Sequence, residues 1–228
     1  MRSGSKRSAV RPPELSAWQV RVLDAVASSG LRDEVVFGGG AALAAVHLHH
    51  RRSDDVDFFL GREVEASELE PVARALARGT VRVDIEVVPP RTSLVLRRPS
   101  GPVGKIDFAF YPYDPVGRRT TWRGLVVESL ADMTVNKVQA VLTREQVRDF
   151  VDLYFLLREG PERDLNRLLD YVRAKFDYGA HRMGLAARFL LVKDLERMPR
   201  MIRELSPRTL VAFFEQKARE LVAGDRRR

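Results

Sequence analysis

Asp55 and Asp57 are the residues of this chain whose type and spacing most directly suggest chemistry. Asp55 directly precedes a strand-forming, mostly apolar run, Val56–Leu60, and Asp57 is the second residue of that run. Side chains two positions apart in a strand point to the same side, so the two carboxylates are predicted to project together. Hard carboxylate oxygens suit Mg²⁺ or Mn²⁺, which would bind the phosphates of a substrate nucleotide. The same pattern also fits the solvent face of an ordinary amphipathic strand.

A third carboxylate would complete a site for two metal ions. Asp107 is one candidate, and Asp84 and Glu86 on the alternating segment 81–88 are two others. Asp107 lies between apolar neighbours, where a carboxylate without a function would be costly. We therefore prefer Asp107 as the third metal ligand and candidate general base, and keep Asp84 and Glu86 as alternatives.

Three consecutive glycines, Gly38, Gly39 and Gly40, follow a short apolar segment at 35–37 and precede a helix-forming segment at 41–48. Glycine lets the backbone approach a triphosphate closely, and the first turn of a helix offers unpaired N–H groups to it. A triple glycine alone is a weak signal. The order of glycine turn, helix and Asp-x-Asp strand is what favours a nucleotide site.

The elements that must position these residues fall into two halves. The first half, residues 13–125, is predicted to be α/β, and the second half, residues 126–224, shows only helical periodicity. Residues 1–12 are interpreted as a disordered basic tail, and residues 225–228 as a second tail. We predict an α+β chain in which a mixed sheet with flanking helices is followed by an all-helical domain. The strands are predicted at 35–37, 56–60, 81–88, 93–97 and 105–113, and the helices at 14–28, 41–48, 65–78, 129–142, 146–157, 164–176, 181–197 and 207–223.

Composition narrows the function classes. The chain has 228 residues, enough for one large or two small domains, and no cysteine, which excludes disulfides, thiolate zinc sites and thiol nucleophiles. It shows neither an apolar run of membrane-spanning length nor a secretory signal, so we expect a cytoplasmic location and no membrane partner. The net charge of +8 favours an acidic partner such as nucleotide or RNA, although charge alone decides little.

Two further features of the sequence have more than one interpretation. His47, His49 and His50 resemble a metal cluster, but without cysteine or a fourth ligand zinc is not favoured. Local packing or hydrogen bonding is the better interpretation. The helical half carries most of the positive excess, with aromatic residues interleaved. It could follow an RNA backbone and stack bases, or be an ordinary solvated helix surface.

A second group of residues, Lys137, Arg144, Asp149 and Asp152, falls in the helical half. Lys137 and Arg144 are predicted to share one helix face with Ala140, and the two aspartates, an i, i+3 step apart, are predicted to share a face of the next helix. A lysine there can neutralise triphosphate charge. From spacing alone, surface ion pairs or caps of little consequence are the better interpretation.

Both groups resemble the signatures of the AbiEii/AbiGii-type toxin nucleotidyltransferases, in the DNA-polymerase-beta superfamily. The first signature is a glycine pair, a helix and Arg-x-Ser-x-Asp-x-Asp, and the second is Lys-x-x-Ala, Arg, then Arg-Asp-x-x-Asp-Leu. The resemblance covers residues 35–157. Gly40 departs from it, because the family often has Ser or Thr there, which puts one hydroxyl contact to phosphate in doubt. The residues that fill the two signatures are Arg51, Ser53, Asp55 and Asp57, and Lys137, Ala140, Arg144, Arg148, Asp149, Asp152 and Leu153.

The resemblance implies a polymerase-beta-like nucleotidyltransferase domain that moves a nucleoside monophosphate from an NTP to an acceptor hydroxyl. It also implies a bacterial toxin of a toxin–antitoxin or phage-defence pair, with an antitoxin partner and a tRNA 3′ end as a plausible acceptor. The alternatives are a small-molecule nucleotidyltransferase of the antibiotic-modifying kind and a nucleotide- or RNA-binding module without catalysis. The residue patterns and the resemblance together give the candidate site. The catalytic candidates are Asp55, Asp57, Asp107, Lys137 and Asp149, of which Asp107 rests on its apolar neighbours and not on the resemblance. The candidate metal ligands are Asp55, Asp57 and Asp107, and the candidate nucleotide-binding residues are Gly38, Gly39, Gly40, Arg51, Ser53, Lys137 and Asp152.

Overall fold

The centre of the fold is a mixed seven-stranded sheet. The computed structural model describes residues 11–195 and 197–223, and within them the strand order is β3-β4-β5-β2-β1-β7-β6. Pairs β1–β7 and β2–β5 are parallel, and the remaining neighbours are antiparallel. The strands are β1 (Val36–Gly38), β2 (Val56–Leu60), β3 (Arg82–Val88), β4 (Arg91–Arg98), β5 (Gly101–Phe110), β6 (Thr120–Trp122) and β7 (Leu125–Val127).

Strand β2 and its register position the carboxylates. Val56, Phe58 and Leu60 are buried on one side, as the alternation predicts, while Asp57 lies on the other. Asp57 is directly paired with Asp107 of β5. Because neighbouring strands run about 4.8 Å apart, this register brings the two carboxylates side by side on the same face of the sheet.

Helices cover the sheet and extend beyond it. One hydrophobic cluster runs from the sheet into the helices that follow it, and it includes Phe37, Phe58 and Phe108 as well as Phe150 and Phe214. Ser16 begins the first helix with a reciprocal capping box to Gln19. The helices are α1 (Ala17–Ala27), α2 (Gly39–Ala42) continuing into a π-helical segment (Leu43–Leu48), α3 (Ala66–Leu76), α4 (Leu130–Thr143), α5 (Val147–Glu159), α6 (Leu165–Phe176), α7 (Arg182–Leu190) with a 3₁₀ turn (Leu191–Asp194), and α8 (Pro207–Ala223).

The predicted α+β class, with a mixed sheet and flanking helices, is confirmed. Two details of the prediction are wrong. Strands β6 and β7 lie in a stretch where no strand was expected, because three residues are too short to show an alternation. The helix expected at 181–197 ends at Leu190, because the chain beyond the 3₁₀ turn runs back to the loop after the π-helical segment, where the N–H groups of Ile202 and Arg203 donate to the carbonyl of His50.

The division into residues 13–125 and 126–224 stays a prediction, since the last sheet strand ends at Val127 and the hydrophobic cluster is shared. Of the expected tails, residues 1–10 and 225–228 lie outside the described residues. In the described part of the chain, no helix combines the length and the apolar character needed to cross a membrane.

Candidate active site

A cleft of about 290 Å³ lies where the sheet meets α4 and α5. One wall, which we call the carboxylate wall, is formed by Asp55, Asp57 and Asp107. The opposite wall, which we call the cation wall, is formed by Arg51, Lys137, Arg144 and Arg148. The other lining residues are Gly39, Gly40, Ser53, Phe59, Arg91, Glu128, Met133, Asn136 and Ala140.

Asp57 lies beside two other carboxylates of the cleft. Burial, and then the negative charges of Asp107 and Asp55, raises the pKa of Asp57 to about 6. Asp57 makes no salt bridge among the described residues, whereas Asp55 lies 3.6 Å from Nη1 of Arg148. The cluster therefore favours any cation, or proton, that enters between its members.

Asp107 is held in place by three neighbours. Ser93 Oγ donates to its Oδ1 at 2.6 Å, Lys105 Nζ lies 2.9 Å from the same oxygen, and Arg91 Nη1 lies 3.5 Å from Oδ2. Asp84 and Glu86, the alternatives to Asp107, lie on edge strand β3, which is two strands farther from β2 than the strand of Asp107 is. Both of them pair with Arg97. The geometry thus brings Asp107, and neither alternative, to Asp57.

The glycine turn leaves room for the side chains of the site. Gly39 has a φ of +65°, and a Cβ added there would lie 2.1 Å from Oδ2 of Asp57. Any side chain at 39 would therefore be strained and would displace Asp57. A Cβ at Gly38 would meet the Phe59 ring at 2.3 Å, and one at Gly40 would meet Nη2 of Arg51 at 2.6 Å and Oγ of Ser53 at 3.1 Å.

Lys137 and Arg144 are oriented by Asp149. Lys137 Nζ lies 2.7 Å from Oδ1 of Asp149 and 2.7 Å from Oδ2 of Asp152. Arg144 donates to both oxygens of Asp149, at 2.7 and 2.9 Å. The prediction that Lys137, Ala140 and Arg144 share one helix face is wrong for Arg144. Helix α4 ends at Thr143, and Arg144 reaches Asp149 from an extended backbone.

Asp152 orients the remaining buried cation. Arg51 donates to both of its oxygens, at 2.6 and 2.8 Å, and His50 Nε2 lies 2.7 Å from Oδ1. Burial alone would raise the pKa of Asp152, but Arg51 and Lys137 outweigh it and hold that pKa well below the usual range. Asp149 and Asp152 are both fully buried and neither lines the cleft. They act on the cleft through the cations that they hold.

The three histidines after α2 have separate partners. His47 Nε2 contacts the carbonyl of Glu128, His49 Nδ1 contacts Oε1 of Glu14, and His50 contacts Asp152. Burial lowers the pKa of His50, which favours its neutral form as an orienting partner of Asp152. Across the described residues, no three His, Asp or Glu side chains are grouped so as to cage a metal ion.

Sequence reasoning missed one end of the cleft. Phe59 shares the face of Asp57 and stacks on Tyr111 with ring centroids 4.6 Å apart. The Tyr111 hydroxyl donates to Asn136 Oδ1, and Asn136 Nδ2 donates to Oε1 of Glu128, each at 2.7 Å. Oε2 of Glu128 is buried and finds no hydrogen-bond partner in residues 11–195 and 197–223, and burial raises the pKa of this residue to about 7. The period-2 alternation from Asp57 to Phe59 could have revealed the aromatic residue.

A mixed sheet bearing strand carboxylates, with a glycine turn and an opposing cation wall, is the arrangement expected of a nucleotidyltransferase. The family model described as "Nucleotidyl transferase AbiEii toxin, Type IV TA system" matches residues 21–226. The chain therefore belongs to the AbiEii family of toxin nucleotidyltransferases, and it is an enzyme of nucleotidyl transfer. The resemblance inferred from the two signatures is confirmed.

Solved structures with the same fold come from two bacteria. A candidate nucleotidyltransferase of H. pylori aligns with a TM-score of 0.59 at 17% identity, covering 90% of this chain and 91% of its own. JHP933 from Helicobacter pylori gives 0.58 and 16%, covering 90% and 88%. MenT4, a nucleotidyltransferase toxin of Mycobacterium tuberculosis H37Rv, gives 0.52 and 17%, covering 90% and 81%. No curated protein sequence shows a significant match.

Proposed function

We propose that this protein transfers a nucleoside monophosphate from an NTP to an acceptor hydroxyl, releases pyrophosphate, and depends on Mg²⁺ or Mn²⁺. The observation that carries the proposal is the electrostatic asymmetry of one cleft. Its lining combines the three carboxylates of one wall with the four cationic side chains of the other, and Asp55 and Arg148 come within 3.6 Å of each other. A triphosphate with its metal ion is the ligand that satisfies both walls at once, since the phosphates pair with the cations and the metal pairs with the carboxylates.

The carboxylate wall fits a divalent ion. The pKa of Asp57 is raised to about 6 by burial and by two like charges, so this carboxylate is stabilised by an added cation. Mg²⁺ usually takes one or two carboxylates and completes its coordination with water and substrate phosphate oxygens. Among the described residues no three such side chains already form a metal cage, so Asp55 and Asp57, with Asp107 as a third ligand, would supply the protein part of the donor set and the substrate phosphates the rest. When bound, the metal would polarise the reacting phosphate and lower the pKa of the attacking hydroxyl.

The other residues of the cleft are proposed to bind the triphosphate, accept the proton of the acceptor hydroxyl, or position the cations. Gly39, Gly40 and Ser53 contact the triphosphate at the start of the helix, while Arg51, Lys137 and Arg144 neutralise its charge. Asp107, beside Asp57, is the candidate base for the acceptor hydroxyl. Asp149 and Asp152 are positioning residues, because both are buried and hold the cations, with His50 as a further partner of Asp152.

The biological role that we propose is that of the toxin of a toxin–antitoxin pair, with a cognate antitoxin as partner and an RNA, such as a tRNA 3′ end, as acceptor. The family description, which specifies a type IV toxin–antitoxin system, supports the role. The net charge of +8 supports an acidic acceptor.

The test is to incubate the protein with each labelled NTP, with and without Mg²⁺ or Mn²⁺, and to follow pyrophosphate release and label in total RNA. The expected result is metal-dependent release coupled to labelled RNA. Release coupled to label on a small alcohol or aminoglycoside would favour the antibiotic-modifying type of enzyme instead. Nucleotide binding without any release, across metals and acceptors, would favour a binding module and would overturn the proposal.

A further inference from the structure

A second cleft, of about 640 Å³, opens beside the active-site cleft on the side of the carboxylate wall. Ser53 and Asp55 line both clefts. The ion pair of Lys105 with Asp107 links the two clefts, because Lys105 lines the second cleft and Asp107 lines the first. The other lining residues come from the start of α1, the β4–β5 hairpin and two loops: Arg11, Glu14, Leu15, Ser16, Trp18, Gln19, Arg52, Asp54, Val95, Pro102, Val103, Gly104 and Arg200.

The second cleft offers cations to an incoming ligand. Arg11, Arg52, Lys105 and Arg200 line it. Arg200 forms an ion pair with Asp54. Arg52 is exposed, and its side chain makes no salt bridge among the described residues. The backbone N–H of Arg52 donates to the carbonyl of Arg200 at 2.8 Å, so the two arginines are held next to each other. Adjacent arginines fit successive phosphates of a nucleic acid strand.

Trp18 adds an aromatic surface to these cations. The indole packs against the backbone of Gly104, where an added Cβ would lie 2.2 Å from the ring. Trp18 is only partly buried, and its remaining surface lines the cleft. Proteins that bind single strands combine a cationic groove with aromatic side chains on which bases stack. A small alcohol would use neither feature.

The direction of the chemistry selects the same cleft. In phosphoryl transfer the attacking and leaving oxygens are roughly in line. If the pyrophosphate leaves along the cation wall formed by α4 and α5, the acceptor hydroxyl must approach from the side of Asp55 and Asp107. The second cleft is lined by Asp55 itself and by Lys105, which pairs with Asp107.

We propose that the second cleft binds the 3′ end of a single-stranded RNA acceptor, with Arg52 and Arg200 on its phosphates and Trp18 stacked on a base. The proposal rests on the proposed nucleotidyl transfer and specifies where its acceptor binds. The helical half is a weaker candidate, because two of its arginines are used internally: Arg182 donates to the carbonyl of Leu221 and Arg188 to that of Val141.

The experiment compares two double variants with equal loss of charge, Arg52→Gln with Arg200→Gln in the cleft and Arg167→Gln with Arg208→Gln in the helical half. The probe is a single-stranded RNA ending in a free 3′ hydroxyl, titrated at several salt concentrations. Because each phosphate contact contributes a slope of about −0.7 to log affinity against log salt, the cleft variant should lose roughly 1.4 of slope. Its transfer to RNA should fall at least about tenfold, while its NTP affinity matches the wild type.

A third variant, Trp18→Leu, should weaken RNA binding by roughly 5- to 150-fold, and Trp18→Phe should restore most of it, because the stacking surface returns. The proposal is overturned if the helical-half variant alone loses slope, if both double variants bind and label RNA like the wild type, or if the enzyme labels only small alcohols. Failure of the proposed function looks different, since the wild type would then release no pyrophosphate although RNA binding in the cleft could still be measured.

Discussion

The two walls of the active-site cleft are charged in opposite ways and completed to different degrees. On the cation wall, Lys137, Arg144 and Arg51 are each held by a buried aspartate at 2.6–2.9 Å. On the carboxylate wall, Asp57 has no salt bridge among the described residues and lies beside two like charges. The three cations of the first arrangement are satisfied by the protein alone. On the carboxylate wall Asp55 and Asp107 have cationic neighbours of their own, so it is Asp57 that depends on an external cation.

This difference separates stability from function within one site. Removing a member of a buried, paired cluster leaves its partner uncompensated, which destabilises the fold. Removing one of several like charges relieves repulsion, so the loss falls on catalysis. The cation wall should therefore respond to substitution as part of the core, and the carboxylate wall as a site that the fold tolerates at a cost.

The largest expected effect is on the carboxylate wall. Asp57→Asn should reduce transfer by more than the 10- to 100-fold typical of losing an outer-shell partner of a metal, since Asp57 itself is the proposed ligand. Its melting temperature without metal should equal or exceed that of the wild type, and Mg²⁺ should raise the melting temperature of the wild type only. Asp84→Asn, a matched change on β3, should keep full activity. Equal losses in both variants would contradict the assignment of the wall.

The next effect is on the cation wall. Asp152→Asn keeps the volume of the side chain but removes the charge that faces Arg51, Lys137 and His50, and should lower the free energy of unfolding by about 3–5 kcal/mol. The control is Glu159→Gln, which breaks the exposed pair with Arg203 and should cost no more than about 1 kcal/mol. Denaturant midpoints at constant slope provide the comparison. Equal midpoints for the two variants would show that the buried cluster is not a structural unit.

The sequence predicted the carboxylate wall better than the cation wall, for a physical reason. Alternation along β2 and the glycine turn are local patterns, so the shared direction of Asp55 and Asp57 could be read from a few residues. The hydrogen bonds between Arg51 and Asp152 on the cation wall join residues that are 101 positions apart in the chain. The i, i+3 spacing of Asp149 and Asp152 predicted a common face, but what this face contacts depends on how α5 packs.

The end of the cleft around Glu128 was missed because its burial depends on an unpredicted strand. Glu128 directly follows β7, and its N–H donates to the carbonyl of Phe37 on β1. Three residues of β7 show no alternation, so nothing marked Glu128 as interior. Asp107 was preferred over Asp84 and Glu86 because of its apolar neighbours, and the register with Asp57 supports that preference.

Glu128 gives the expected pH dependence. Burial raises its pKa from 4.5 to about 7 in the folded chain, although Lys175 and Asn136 act in the other direction. The folded state therefore binds more protons than the unfolded state between these two values, so stability should fall as pH rises from about 4.5 to 7. At most about 3 kcal/mol is involved. Glu128→Gln should match the wild type near pH 4 and be more stable at pH 8, and an identical pH profile would contradict the shift.

The smallest expected effect separates binding from stability at Lys137. Lys137→Met should fold, since Asp149 keeps Arg144 and Asp152 keeps Arg51, but NTP affinity should fall by about 10- to 100-fold, as expected when a charged donor is lost. Lys137→Arg should recover only part of the NTP affinity, because a planar guanidinium places its charge differently.

The control is Lys175→Met, which also removes a buried ammonium. Lys175 lies 2.6 Å from Asp132 and outside the cleft, so this variant should lose stability and keep its NTP affinity. If both lysine variants bound NTP like the wild type in a titration with Mg²⁺, Lys137 would be a structural ion pair and the cation wall would not be the phosphate site.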